Sequence, residues 1–176
     1  MSAAVIDTNV LLVANGRHAQ VSDACRIACV RRLLAQQKSG VTIIDDGYRI
    51  LSEYQNKTRP NRPKGVGDAF LKWLLQNQGN AERVRHVVIT EIGKDEFAEF
   101  PDAALQPKFD APDRKFIAVA HLGKAPVWQA ADCKWLDWWP ALETKGVYVE
   151  FLCPDDARAF YRRKFPRRPV PRAPGD

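Results

Sequence analysis

Short unbroken apolar runs alternate along the chain with longer stretches whose apolar residues recur at helical spacing. The first run, Ala3-Ala4-Val5-Ile6, stops at Asp7-Thr8-Asn9, after which Val10-Leu11-Leu12 resumes. Runs without polar alternation predict strands buried on both faces. Such strands are expected at 3–7, 41–45, 83–91, 125–132 and 146–152. Helices are expected at 21–38, with Ser22 as N-cap and Gly40 ending it, and at 45–58, capped by Asp45 or Asp46. Further helices are expected at 67–78, at 111–123 with Pro112 in the first turn and Gly123 past the end, and at 133–145. The tryptophans at 135, 138 and 139 read as the sheet-facing side of that last helix. Residues 93–110 look irregular, with a short helix near Asp95–Phe100. The C-terminus reads as helical through Tyr161 and as disordered beyond it.

Strands and helices alternate throughout. The expected fold is α/β: a three-layer α/β/α sandwich around a mainly parallel, roughly five-stranded sheet. In such sheets the functional crevice lies at the carboxyl ends of the strands.

Charge sharpens this picture. The net charge of +6 lies entirely in the last nineteen residues, which hold seven Lys or Arg and only Asp176 as an acid; residues 1–157 balance at 20 and 20. The division is therefore a neutral globular domain, 1–156, and a basic Pro/Arg-rich tail, 157–176. A second basic cluster, Lys57, Arg59, Arg62 and Lys64, contains no acid. The N-terminal apolar run lacks the basic lead of a signal peptide, and no run approaches the length of a membrane span, so a soluble, cytoplasmic protein with no membrane partner is expected. Cys25, Cys29, Cys133 and Cys153 lack the paired spacing of a zinc site and read as small core residues in a reducing compartment.

The carboxylates carry the candidate chemistry. Asp7 ends the first strand, Glu53 lies in the helix after the second, Asp113 opens the helix before the fourth, and Asp132 ends the fourth. All four can reach one edge of the sheet. Each has a simpler role open to it: Asp7 as an N-cap, Glu53 as a solvated partner of Arg49 or Lys57, Asp113 as a first-turn acid. Crowded together they repel one another, and a divalent cation relieves that repulsion. Oxygen ligands select Mg²⁺ or Mn²⁺.

The segments VIDTNVLL, IIDDGYRILSEY, DRKFIAVAHLG and VWQAADCKWLDW, in this order, resemble the PIN domain family over residues 3 to about 152. The resemblance implies a nuclease-like sandwich and metal-dependent hydrolysis of phosphodiesters, most often in RNA. It implies Asp7, Glu53, Asp113 and Asp132 as the acidic quartet, with metal on Asp7, Asp113 and Asp132, and with Thr8 and Asn9 in support. Asp137, five residues past Asp132, competes with or assists it, and Asp110 competes with Asp113. Ala130-Ala131 stand where the family often has Thr or Ser. Lys57, Arg59, Arg62 and Lys64 are the expected contacts to the nucleic-acid backbone. The single-domain form resembles the toxin of a bacterial toxin–antitoxin pair, with an antitoxin protein and a homodimer as expected partners beside the RNA substrate. The rival expectation is a PIN-like module that binds RNA or protein without cleaving.

Overall fold

A computed structural model of the chain describes residues 2–176. The chain opens with β1 (Ala3–Ile6), followed by α1 (Thr8–Ala14) and α2 (Asp23–Ser39). Next come β2 (Val41–Asp45), α3 (Arg49–Lys57), α4 (Val66–Gln76) and β3 (Val84–Val87). The small strands β4 (Glu91–Gly93) and β5 (Glu96–Phe97) precede α5 (Arg114–Gly123) and β6 (Val127–Gln129). The chain then forms α6 (Trp135–Thr144), β7 (Val149–Phe151) and α7 (Pro154–Lys164).

Five strands form one parallel sheet in the order β3-β2-β1-β6-β7, flanked by helices as the apolar patterning predicts. Val5 and Ile6 of β1 and Val127 of β6 are fully buried, which is why these strands carry no polar alternation. The chain begins at the centre of the sheet. It builds outward through β2 and β3, then returns to the other side of β1 as β6 and β7. The crossovers leaving β1 and β6 therefore run in opposite directions. A crevice opens at the carboxyl ends of two such strands, and Asp7 and Asp132 follow them.

Three features differ from expectation. Residues 8–14 form a separate helix, because Asp7 caps it by accepting Asn9 N–H at 2.8 Å. Residues 91–97 make a small antiparallel hairpin rather than an irregular stretch or a short helix. Its turn contains Asp95 with φ of 54°, a conformation Asp tolerates better than most residues. The expected helix at 45–58 starts only at Arg49, with Tyr48 rather than Asp45 or Asp46 at the N-cap position; the Asp45 carboxylate instead reaches the first turn and accepts Arg49 N–H and Ile50 N–H at 2.9 Å each.

The cysteines and the tail also depart from expectation. Cys25 and Cys153, separated by 128 residues, are bonded as a disulfide that ties α2 to the start of α7. Cys29 Sγ lies 3.9 Å from Cys153 Sγ, while Cys133 is buried elsewhere as a free thiol. The expected boundary at residue 156 falls inside α7. The segment beyond α7 is ordered against α6 and α7 instead of trailing as a disordered arm. The indole N–H of Trp139 donates to Arg172 O at 2.9 Å, Ala173 is buried, and Asp176 pairs with Arg158 at 2.5 Å. Proline removes helix and strand from this segment but does not prevent irregular packing. Among the described residues, no helix is long and apolar enough to cross a membrane.

Candidate metal centre

The site is built from four chain segments that meet at the carboxyl edge of β1 and β6. Asp7 follows β1, and its N–H donates to Trp128 O at 3.0 Å, so the ladder with β6 places its side chain. Below it, the Tyr54 hydroxyl donates to Ile6 O and locks α3 against the end of β1. That contact brings Glu53 alongside α1, where Thr8 Oγ1 donates to Glu53 Oε1 at 2.6 Å. Asp113 stands at the N-cap of α5, after a single 3₁₀ turn over Ala111–Asp113. Asp132 follows β6 and accepts Lys134 N–H at 3.1 Å, a local turn that holds its carboxylate at the strand end.

Electrostatics join these residues. Asp7 is 3% exposed, and burial drives its carboxyl well above the usual range. The Asp113 charge adds to this rise, the Asn9 N–H opposes it, and Glu53 and Asp132 push it further. Asp113 is raised to about 7 by burial, then by Asp132, Asp110 and Glu53, with Lys115 pulling the other way. The four expected acids thus share one electrostatic field. Asp137 contributes to neither shift. It accepts Tyr161 OH at 2.9 Å and faces Arg168 at 3.8 Å, and so belongs to the packing between α6 and α7. Asp110 lies near enough to raise Asp113, but its carboxylate is paired with Lys134.

Lys115 was not anticipated. Its ammonium pairs with Glu53 and donates to Pro112 O at 2.6 Å, and the residue is 9% exposed. A charged residue on an amphipathic helix ordinarily reads as solvent-facing, and only the packing of α5 over β1 and β2 turns this one inward. Asp68 was also missed. It accepts Arg59 N–H at 2.8 Å, Lys64 N–H at 3.1 Å and the Asn15 amide at 2.9 Å, and so shapes the basic loop after α3. Its spacing from Gly65, three residues on at a helix start, was the available signal.

Lys57, Arg59, Arg62 and Lys64 are exposed. Arg59 and Arg62 line a shallow pocket of about 330 Å³ with Gln55 and Thr58. They lie past the C-terminal end of α3, the helix that carries Glu53, and no direct contact joins them to the acids.

The oxygen-only donor set suits Mg²⁺ or Mn²⁺. Asp7, Asp113 and Asp132 are the residues that could hold such an ion, because Glu53 is already engaged by Thr8 and Lys115. Among the described residues, the only His, Cys, Asp or Glu trio with ligand atoms all within 4.8 Å of one another is Cys25, Cys29 and Cys153, so the acids stand further apart. Mg²⁺ commonly keeps several waters and binds through one or two carboxylates, which accommodates that spacing. The residues present fit the ion. No family model, curated protein or solved structure matches the chain.

Proposed function

We propose that the chain is a Mg²⁺- or Mn²⁺-dependent nuclease of the PIN type, most simply an endoribonuclease acting in the cytoplasm. The observation that carries this reading is the pair of raised carboxyls at Asp7 and Asp113, which other acids surround. Asp7 is buried and Asp113 half-buried where oppositely directed crossovers open the sheet; Asp113 adds to the rise at Asp7, Asp132 to the rise at Asp113, and Asp7 receives only one backbone N–H in compensation. A protein gains nothing in stability from that arrangement, and functional sites are where such groups collect.

A bound divalent ion would supply charge for the scissile phosphate and lower the pKa of an attacking water. This chain's residues then have separable tasks. Asp7, Asp113 and Asp132 would hold the ion. The Asn9 N–H fixes the rotamer of Asp7, and the Thr8 hydroxyl fixes Glu53. Lys115 pairs with Glu53 and holds it turned inward. Lys57, Arg59, Arg62 and Lys64 offer cations to the strand on the α3 side. No side-chain nucleophile is needed.

Within this class we place the chain as the toxin of a toxin–antitoxin pair. Its antitoxin would cover the acidic crevice with an Arg or Lys side chain, and the toxin would act as a homodimer. The buried Cys25–Cys153 bond is 3% and 4% exposed at its two residues, which shields it from soluble thiols in a reducing compartment.

One observation favours the second reading, a non-cleaving PIN-like module. The Lys115 ammonium already neutralises part of the acidic cluster, as a metal would. Incubating the protein with structured and single-stranded RNA in Mg²⁺, Mn²⁺ or EDTA, beside Asp7→Asn, separates the two. Metal-dependent cleavage lost in Asp7→Asn supports the nuclease. RNA binding without cleavage in any metal supports the module.

A further inference from the structure

The acidic crevice does not end at Asp132. It continues into a pocket of about 250 Å³ whose walls include Asn9, Asp132, His18 and Phe160. A second pocket of about 400 Å³ shares Gln20, Cys133 and Phe160 with the first and ends at Arg163 and Lys164. Shared walls make these one trough, running from the acids to the last turn of α7.

Three properties of the trough point to one kind of occupant. Midway along it the rings of His18 and Phe160 stack, with centroids 5.6 Å apart and planes 16° from parallel. Arg163 lies over Phe160 at 4.8 Å from the ring centroid. At the far end Arg163 and Lys164 are exposed, and among the described residues neither makes an ion pair, whereas Arg158 and Arg168 on the same terminus do. Unpaired cations at one end suit phosphates, and a flat aromatic platform beside them suits a base.

We propose that this trough is the binding path for single-stranded nucleic acid on the α7 side of the acidic site. One unpaired base stacks on the His18–Phe160 platform, and the following phosphates meet Arg163 and Lys164. The duplex is excluded, because its bases present edges rather than faces to a protein. The path adds a second flank to the one offered by the loop after α3, and the disulfide and the Ser22–Asp156 hydrogen bonds hold it by fixing α7 to α2. The role as a substrate path rests on the nuclease reading, but binding in the trough does not.

The test is binding without turnover. A fluorescently labelled, adenine-rich RNA oligonucleotide and its duplex are titrated in EDTA at low salt and followed by anisotropy. The unmodified protein should bind the single strand more tightly than the duplex. His18→Ala should weaken single-strand binding roughly 5- to 150-fold, the size of one lost base–aromatic stack. Arg163→Glu with Lys164→Glu should weaken it and flatten its salt dependence, while Lys38→Glu, a charge reversal on the distant end of α2, should not. If His18→Ala unfolds, the exposed Arg163 and Lys164 variant decides alone. Equal affinity for the duplex, unchanged binding in the trough variants, or an equal loss in Lys38→Glu would overturn the path. Cleavage assays keep the two readings apart. Platform-dependent binding with no metal-dependent cleavage rejects the nuclease and leaves the trough standing. Cleavage with platform-independent binding does the reverse.

Discussion

Asp68 and Asp7 are both aspartates at a helix start, 2% and 3% exposed, yet their surroundings push them in opposite directions. Burial alone would raise Asp68, but the N–H groups of Arg59, Lys64 and Gly65 and the Asn15 amide outweigh it and hold the carboxyl below its usual value. Asp7 receives one backbone N–H and faces three other carboxylates, and it is held high. Asp45, 1% exposed, resembles Asp68: two backbone N–H groups and Arg49 surround it. Burial of an acid therefore does not mark a functional site. A buried acid whose partners are other acids is the better candidate for one.

The largest contrast lies in activity. Asp7→Asn should lower Mn²⁺-dependent RNA cleavage more than about 100-fold, beyond the 10- to 100-fold typical of losing a partner that merely supports a ligand. Asp68→Asn should leave cleavage within a few-fold, as read by turnover of a labelled RNA. Equal losses in the two variants would erase the distinction between them.

In stability the order should reverse. Asp68→Ala leaves three backbone donors without their acceptor and should cost about 2–4 kcal/mol in urea unfolding. Asp7→Asn relieves repulsion and should leave the metal-free protein as stable as before, or more so.

The two sites should also respond to pH with opposite signs. Asp113 and Asp7 bind protons more tightly in the folded chain than in the unfolded one. Their contribution is fully present below the unfolded value of 3.8 and is lost as pH rises through the folded values, about 7 for Asp113. Metal-free stability should therefore fall between about pH 4 and pH 7, by at most about 1.4 kcal/mol per pH unit for each proton released. Saturating Mn²⁺ should flatten that fall. The Asp68 contribution runs the other way, being present above 3.8 and lost as pH drops through its lowered folded value. Chemical unfolding across pH with and without Mn²⁺ reads both, and a stability that rises from pH 4 to 7 in Asp68→Asn would contradict the assignment.

The smallest effect concerns Lys115. Lys115→Met removes a cation that competes with metal for the acidic cluster, so Mn²⁺ should bind roughly fivefold more tightly, the size of one partly screened charge. Weaker Mn²⁺ binding in this variant would instead make Lys115 a support for the metal site.

Much of the scaffold was readable from local pattern. Continuous apolar runs mark strands buried on both faces, and the Ser22 cap and the acids at the ends of β1 and β6 follow from positions a few residues apart. What escaped depends on residues distant in sequence. Cys25 meets Cys153 only because α2 and α7 pack together, which spacing along the chain cannot convey. The tail is ordered by Trp139, Asp137 and Arg158, all outside the proline-rich segment itself. The four acids were legible as a set, but Lys115 was not, because a lysine on a helix usually faces water. Asp132 parts from Asp137 only once Tyr161 is placed beside the latter.

Calorimetric titration of Mn²⁺ into the unmodified protein and into Asp7→Asn, at pH 6.5 in two buffers of different ionisation enthalpy, tests the metal site most directly. The unmodified protein should bind Mn²⁺ and release protons, since metal displaces them from carboxyls held above their usual range. Asp7→Asn should show little or no binding. Indistinguishable heats from the two proteins, or no binding to either, would contradict the assignment of these acids to a metal.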